Sequence, residues 1–92
     1  MTHDDARATF IEELVKVAPD LDPEEIGDHD HIQDDLQLDS MDVLNLVTAL
    51  HTRFGIEIPE ADYEQIATPA LAAAYLVAHT AKLAGEPAHP IS

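Results

Sequence analysis

The chain has 92 residues, enough for one small domain around a single core. Nineteen acidic residues stand against four basic ones, giving a formal net charge of −15 with the histidines neutral. Such a surface repels phosphate backbones and anionic membranes and attracts basic protein patches, so neither nucleic acid nor membrane is an expected partner. The absence of cysteine excludes disulfides, thiolate metal sites and a cysteine nucleophile, so any thiol chemistry has to use an imported sulfur.

With 46% apolar residues the chain is expected to fold, and with only 4% aromatics its core is expected to be aliphatic. No apolar run approaches the roughly 20 residues of a membrane span. The opening MTHDDARATF lacks the basic, apolar and small-residue regions of a signal peptide. A cytoplasmic monomer is the expectation.

In chain order, a first helix is expected to start near Thr2 to Asp5, whose side chains suit a helix amino end. Phe10, Ile11, Leu14, Val15 and Val17 follow at helical spacing, and Pro19 ends the pattern. Asp20 to Asp39 reads as a long polar loop without structure of its own, pinned by Leu21, Ile26, Ile32, Leu36 and Leu38. Loops of this length in a compact domain usually carry function.

A second helix is expected from Ser40 to Phe54, capped by Asp39 and stopped by Gly55. Val43, Leu46, Val47, Leu50 and Phe54 share one face, while Met41, Leu44 and Thr48 fall on a second stripe that points outward. Ile56 and Ile58 alternate with glutamate in GIEIP, a stretch too short for a partnered strand and read as an extended connector. EADYEQI gives one or two helical turns, and Thr68-Pro69 opens a last helix that Gly85 stops. The resulting expectation is an all-α bundle of three to four helices over residues 1–85, with residues 86–92 as a loose tail.

Ser40 is the only serine besides Ser92. As a nucleophile it would need a base oriented beside it, and the usual serine elbow needs glycines where Leu38 and Asp42 stand. None of the six histidines is tied to it by any sequence feature. As a helix cap it competes with Asp39, and the helix needs only one of them. A third reading is covalent attachment of a phosphodiester, because free backbone N–H groups and the helix dipole stabilise an anion there. Asp39 beside it would then help a partner enzyme hold Mg²⁺ during the transfer.

The segment DDLQLDSMDVLNLVTALHTRFGIEIPEADYEQIATPALAAAYL resembles the acyl carrier proteins of fatty-acid and polyketide synthesis. The resemblance is carried by Asp39-Ser40-Met41, Phe54-Gly55-Ile56 and Ile58-Pro59, and is strong from about Asp34 to Tyr75. It implies a four-helix bundle with no catalysis of its own and a 4′-phosphopantetheine arm on Ser40, which supplies the missing thiol for acyl thioesters. It also implies a phosphopantetheinyl transferase and acyl-transferring and synthase enzymes with basic patches as partners. Met41, Asp42, Leu44, Thr48, Glu60 and Glu64 are the expected recognition surface. The competing class is an acidic helical interaction module without a prosthetic group. A peptidyl carrier fits less well, since those resemble a Gly-Gly-x-Ser site and are less acidic.

Two positions depart from the family pattern. Gln37 stands where glycine is usual; a positive φ there costs a non-glycine residue on the order of 1 kcal/mol, so a different local turn is expected. The outward surface of the second helix reads Asn45, Thr48, His51, Thr52 and Arg53, where housekeeping members resemble an acidic ladder. That difference, with Arg53 repelling basic patches, points to a specialised carrier served by dedicated enzymes. Asp28-His29-Asp30-His31 offers cation-ligand types without further fixed ligands, and Ile32 and Gln33 at positions five and six exclude a good EF-hand. No resident metal is expected. His79, among Leu71, Tyr75, Leu76 and Leu83, reads as a core-edge histidine. Any of the alanines Ala72, Ala73, Ala74, Ala78 and Ala81 that face inward would leave room in the bundle for an acyl chain.

Overall fold

A computed structural model describes residues 2–85, with side chains through residue 80. Helix α1 is His3–Val17, α2 is Ser40–Phe54 and α3 is Pro69–Gly85; a 3₁₀ helix, Glu60–Ile66, lies between α2 and α3. No strand occurs among the described residues. The four helical elements form the expected bundle, with α1 packed most closely on α3 and then on α2, and the 3₁₀ helix packed on α3. The expected tail, residues 86–92, lies outside the described residues.

Each boundary follows from local chemistry. Thr2 accepts a hydrogen bond from the Asp5 amide at 3.1 Å and caps α1. Gly55 ends α2 in the left-handed region at φ 71°, its N–H donating to the His51 carbonyl at 2.8 Å. Thr68 caps α3 by accepting from the Leu71 amide at 3.2 Å, and Pro69 takes the first helical position, where no amide donor is needed.

The core is aliphatic around Phe10, Leu14, Leu46, Leu50, Ile66 and Leu76, all fully buried. Burying each such side chain stabilises the fold by about 1.5–3 kcal/mol. On α1, Phe10, Ile11 and Leu14 face inward as expected, but Val15 and Val17 are only half-buried. Ala6 and Glu13 take inward positions instead, because residues 6, 10, 13 and 14 make the continuous stripe of a 3.6-residue helix. Ala72 and Ala73 are buried, whereas Ala74 and Ala78 are exposed, so only part of this stretch leaves space inside; the side chains of Ala81 and Leu83 lie outside the described residues.

The segment between α1 and α2 is more ordered than its sequence promised. Pro23–Glu25 is a 3₁₀ turn capped by Asp22, and Ile26, Ile32 and Leu38 are buried, with Leu21 and Leu36 packed against the core. Its acids and histidine act on backbone donors. The Asp30 carboxylate accepts from the Gly27 amide, that of Asp35 from the His31 amide (both 2.8 Å), and the His31 Nδ1 from the Gln33 and Asp34 amides (both 3.2 Å). Side chains of this kind substitute for backbone carbonyls in turns, which is why a polar sequence without helical periodicity still has one conformation. Two main-chain bonds fix this segment to the start of α3: the Ile32 amide to the Ala67 carbonyl (2.9 Å) and the Ala70 amide to the Asp28 carbonyl (3.0 Å). The Asp28 carboxylate pairs with Arg7, whose hydrogen bond holds it below the usual carboxylate range. Within the DHDH run, Asp28 thus holds the loop to the bundle, while Asp30 and His31 close turns inside the loop.

Candidate functional site

Leu38 is buried, and its amide donates to the Ile32 carbonyl at 2.9 Å, which anchors the chain immediately before α2. Asp39 is extended, and its carboxylate accepts from the Asp42 amide at 2.9 Å; the Asp42 carboxylate accepts in return from the Asp39 amide at 3.4 Å. This reciprocal pair is a capping box. It decides between the two capping candidates: Asp39 is the cap, and Ser40 is the first residue of the helix. The Ser40 hydroxyl is left exposed. With the third amide of the turn taken by Asp39, the Ser40 and Met41 amides remain as the unpaired donors of a helix amino end.

Gln37, two residues before the cap, adopts φ 64° and is the only non-glycine residue at positive φ among the described residues. The glutamine therefore accepts the left-handed conformation that glycine tolerates; the turn is not rebuilt to avoid it.

A cavity of about 190 Å³ opens directly beside Ser40. Ser40, Val43 and Leu44 of α2 form one side, Ile32 and Gln33 of the loop a second, and Glu60, Tyr63, Glu64 and Ala67 the third. Its depth is apolar, since Ile32, Val43 and Ala67 are buried, and its mouth is acidic, since Glu60 and Glu64 are exposed. His31 stands between the loop and the 3₁₀ helix, its Nε2 3.9 Å from a Glu64 carboxylate oxygen.

Of the residues singled out in the sequence, Ser40, Leu44, Glu60 and Glu64 meet at this cavity. Met41 is 64% exposed and Leu44 48%, so the second stripe of α2 does face outward. Thr48 is exposed, but its hydroxyl donates back to the Leu44 carbonyl at 2.9 Å, and it lines a separate open groove with His51 and Pro59. Asp42 is half-buried and engaged in the cap. Sequence reasoning missed Gln33, Tyr63 and Ala67 as lining. The three-residue spacing of the 3₁₀ helix stacks Glu60 over Tyr63, but which face turns to the cavity is set only by packing against α3.

The outward surface of α2 needs one correction. Arg53 is not a free cation on that face. Its guanidinium donates to Glu12 at 3.0 Å and to Glu13 at 2.7 Å, and these bonds raise its pKa. At this position α2 faces α1, and two carboxylates offset the charge of the still exposed guanidinium, which weakens the expected repulsion of basic partners. His51 is also used internally, its Nδ1–H donating to the Ile56 carbonyl at 2.7 Å and holding the connector after α2. Asn45 and Thr52 are exposed. On α3, Tyr75 donates to Asp62 at 2.8 Å and stacks on His79, with ring centroids 3.9 Å apart. Burial, reinforced by the Asp62 bond, pushes the Tyr75 phenol up to about 12.

Fold and site together define a small helical bundle that presents one isolated hydroxyl at a helix amino end next to a cavity. The family model described as phosphopantetheine attachment site matches residues 9–76. An acyl carrier protein of Wolinella succinogenes is 40% identical over 65 residues, covering 71% of this chain and 79% of that protein. A solved structure of the acyl carrier protein from Enterococcus faecalis superposes with a TM-score of 0.66 at 30% identity, covering 85% of this chain and 98% of that one. The chain belongs to the acyl carrier protein family, carriers of covalent 4′-phosphopantetheine that are not enzymes themselves. A phosphopantetheinyl transferase and acyl-handling enzymes are the partners this membership entails. Among the described residues no helix is long and apolar enough to cross a membrane.

Proposed function

We propose that Ser40 is the attachment point of the arm and that the cavity beside it receives the start of the acyl chain. The observation that carries this reading is the exposed Ser40 hydroxyl at an amino end already capped by Asp39. The site fits a phosphodiester: the Ser40 and Met41 amides and the helix dipole favour an anion there. One Asp39 oxygen holds the cap, and the other is available to a Mg²⁺ ion brought by the transferase. When bound, the arm supplies a thiol for thioester exchange. The chain's own residues present that arm, offer apolar shelter at Val43, Leu44 and Ala67, and ring the mouth with carboxylates.

Met41 and Leu44 give partners an apolar contact, and Glu60 and Glu64 guide basic patches to it by charge complementarity. Asp42 supports this surface by holding the cap, and Thr48 marks its far edge. The protein works as a cytoplasmic monomer in a fatty-acid, polyketide or dedicated acyl-transfer pathway. The test is acyl loading of the arm-bearing protein by an acyl-transferring enzyme, read as hydroxylamine-labile acyl label. Wild type should acquire the label and Ser40→Ala should not; label on Ser40→Ala would place the thioester elsewhere.

A further inference from the structure

The cavity beside Ser40 is bounded on one side by a single large ring. Tyr63 is the largest residue lining it, half-buried, with its ring packed against the core. It sits between exposed Glu60 at the mouth and fully buried Ile66 below, the three positions that stack on one face of the 3₁₀ helix. Small Ala67 leaves open the space that Tyr63 bounds. Further extension would have to displace packed residues, since Ile32, Val43 and Ala67 are buried, and Leu46, Ile66 and Leu76 of the same interior are fully buried. Interiors at native density accept extra methylenes poorly. The volume, about 190 Å³, can be set on a known scale. An engineered apolar cavity of about 150 Å³ holds benzene, so a chain of roughly six to eight carbons fills this one.

We propose that Tyr63 is the residue that limits the sheltered cargo of this carrier to short acyl chains, the ring forming the wall against which the chain end stops. The inference rests on the assignment of the arm to Ser40 and of the cavity to the acyl chain. Longer chains run out past Glu60 and Glu64 into solvent, since these exposed residues line the open side of the cavity.

The test uses full-length protein with the arm attached, carrying hydrolysis-resistant acetyl, hexanoyl, octanoyl and dodecanoyl groups, with melting temperature as the readout. In wild type the melting temperature should rise by several degrees from acetyl to hexanoyl or octanoyl and then stop. In Tyr63→Ala it should continue to rise through dodecanoyl, because the wall is gone. Tyr63→Phe, which keeps the ring, should behave as wild type. Should Tyr63→Ala not fold, Tyr63→Leu replaces it, with the same expected direction and a smaller extension. A wild-type melting temperature that climbs through dodecanoyl as steeply as the variant's overturns the proposal. A flat response in every protein also overturns it, and with it the cavity assignment. Arm mass retained on the peptide containing Ser40 would leave the attachment assignment standing in either case.

Discussion

At the scale of single residues, the least comfortable position in the chain is Gln37, held at φ 64° two residues before the cap of α2. An L-residue there costs about 1–2 kcal/mol, and glycine removes that cost while giving part back through the freedom it adds to the unfolded chain. Gln37→Gly should therefore raise stability by about 0.5–1 kcal/mol in urea unfolding; a loss would mean that the glutamine side chain supports the turn. Asp28 makes a second prediction. Arg7 holds its carboxyl below the usual range, so the folded state binds fewer protons at that group than the unfolded state does. Its contribution is complete above the ordinary carboxylate value and is lost as pH falls through the lower folded value. The gap in melting temperature between wild type and Arg7→Ala should accordingly be open near pH 7 and narrow toward about pH 3. A gap independent of pH would assign the effect of Arg7 to its hydrogen bond with the Ile26 carbonyl at 3.2 Å.

At the scale of elements, α2 divides its apolar residues between two faces, and the two faces should respond differently to truncation. Leu46 is fully buried, whereas Met41 and Leu44 are largely exposed. Leu46→Ala should cost about 2–5 kcal/mol, and Met41→Ala and Leu44→Ala well below that, while both slow arm transfer or acyl loading. Core-sized losses from Met41 and Leu44 would contradict the outward placement of that stripe. This helix was legible in the sequence down to its first residue, because Asp39, the apolar spacing and Gly55 are independent signals that agree. The loop before it was legible only in its anchors, Ile26, Ile32 and Leu38. Its turns depend on which amide each carboxylate and His31 reaches, and residue periodicity carries no trace of that. The cavity wall at Tyr63 was hidden for a related reason: the 3₁₀ helix is too short for its face to be fixed until α3 is packed against it. Arg53 was misread because its partners, Glu12 and Glu13, lie some forty positions away in sequence.

For the whole molecule, charge is the dominant quantity. Nineteen acids face four bases, and Arg7, Lys16 and Arg53 are each already paired with carboxylates. Salt weakens those few pairs, but it also screens the far more numerous repulsions between carboxylates within roughly 8–10 Å. Repulsion outweighs the pairs, so added salt or millimolar divalent cation should raise the melting temperature at neutral pH. A melting temperature indifferent to both would mean that the acids are too dispersed to oppose folding. On the function proposed above, the partner that supplies the arm acts at Ser40. The most direct measurement is the intact mass of the protein after incubation with coenzyme A, Mg²⁺ and a phosphopantetheinyl transferase, followed by peptide mapping. One phosphopantetheine should be added per chain, on the peptide containing Ser40, with none added to Ser40→Ala. Addition to Ser40→Ala, or a modified peptide containing Ser92 instead, would contradict the account.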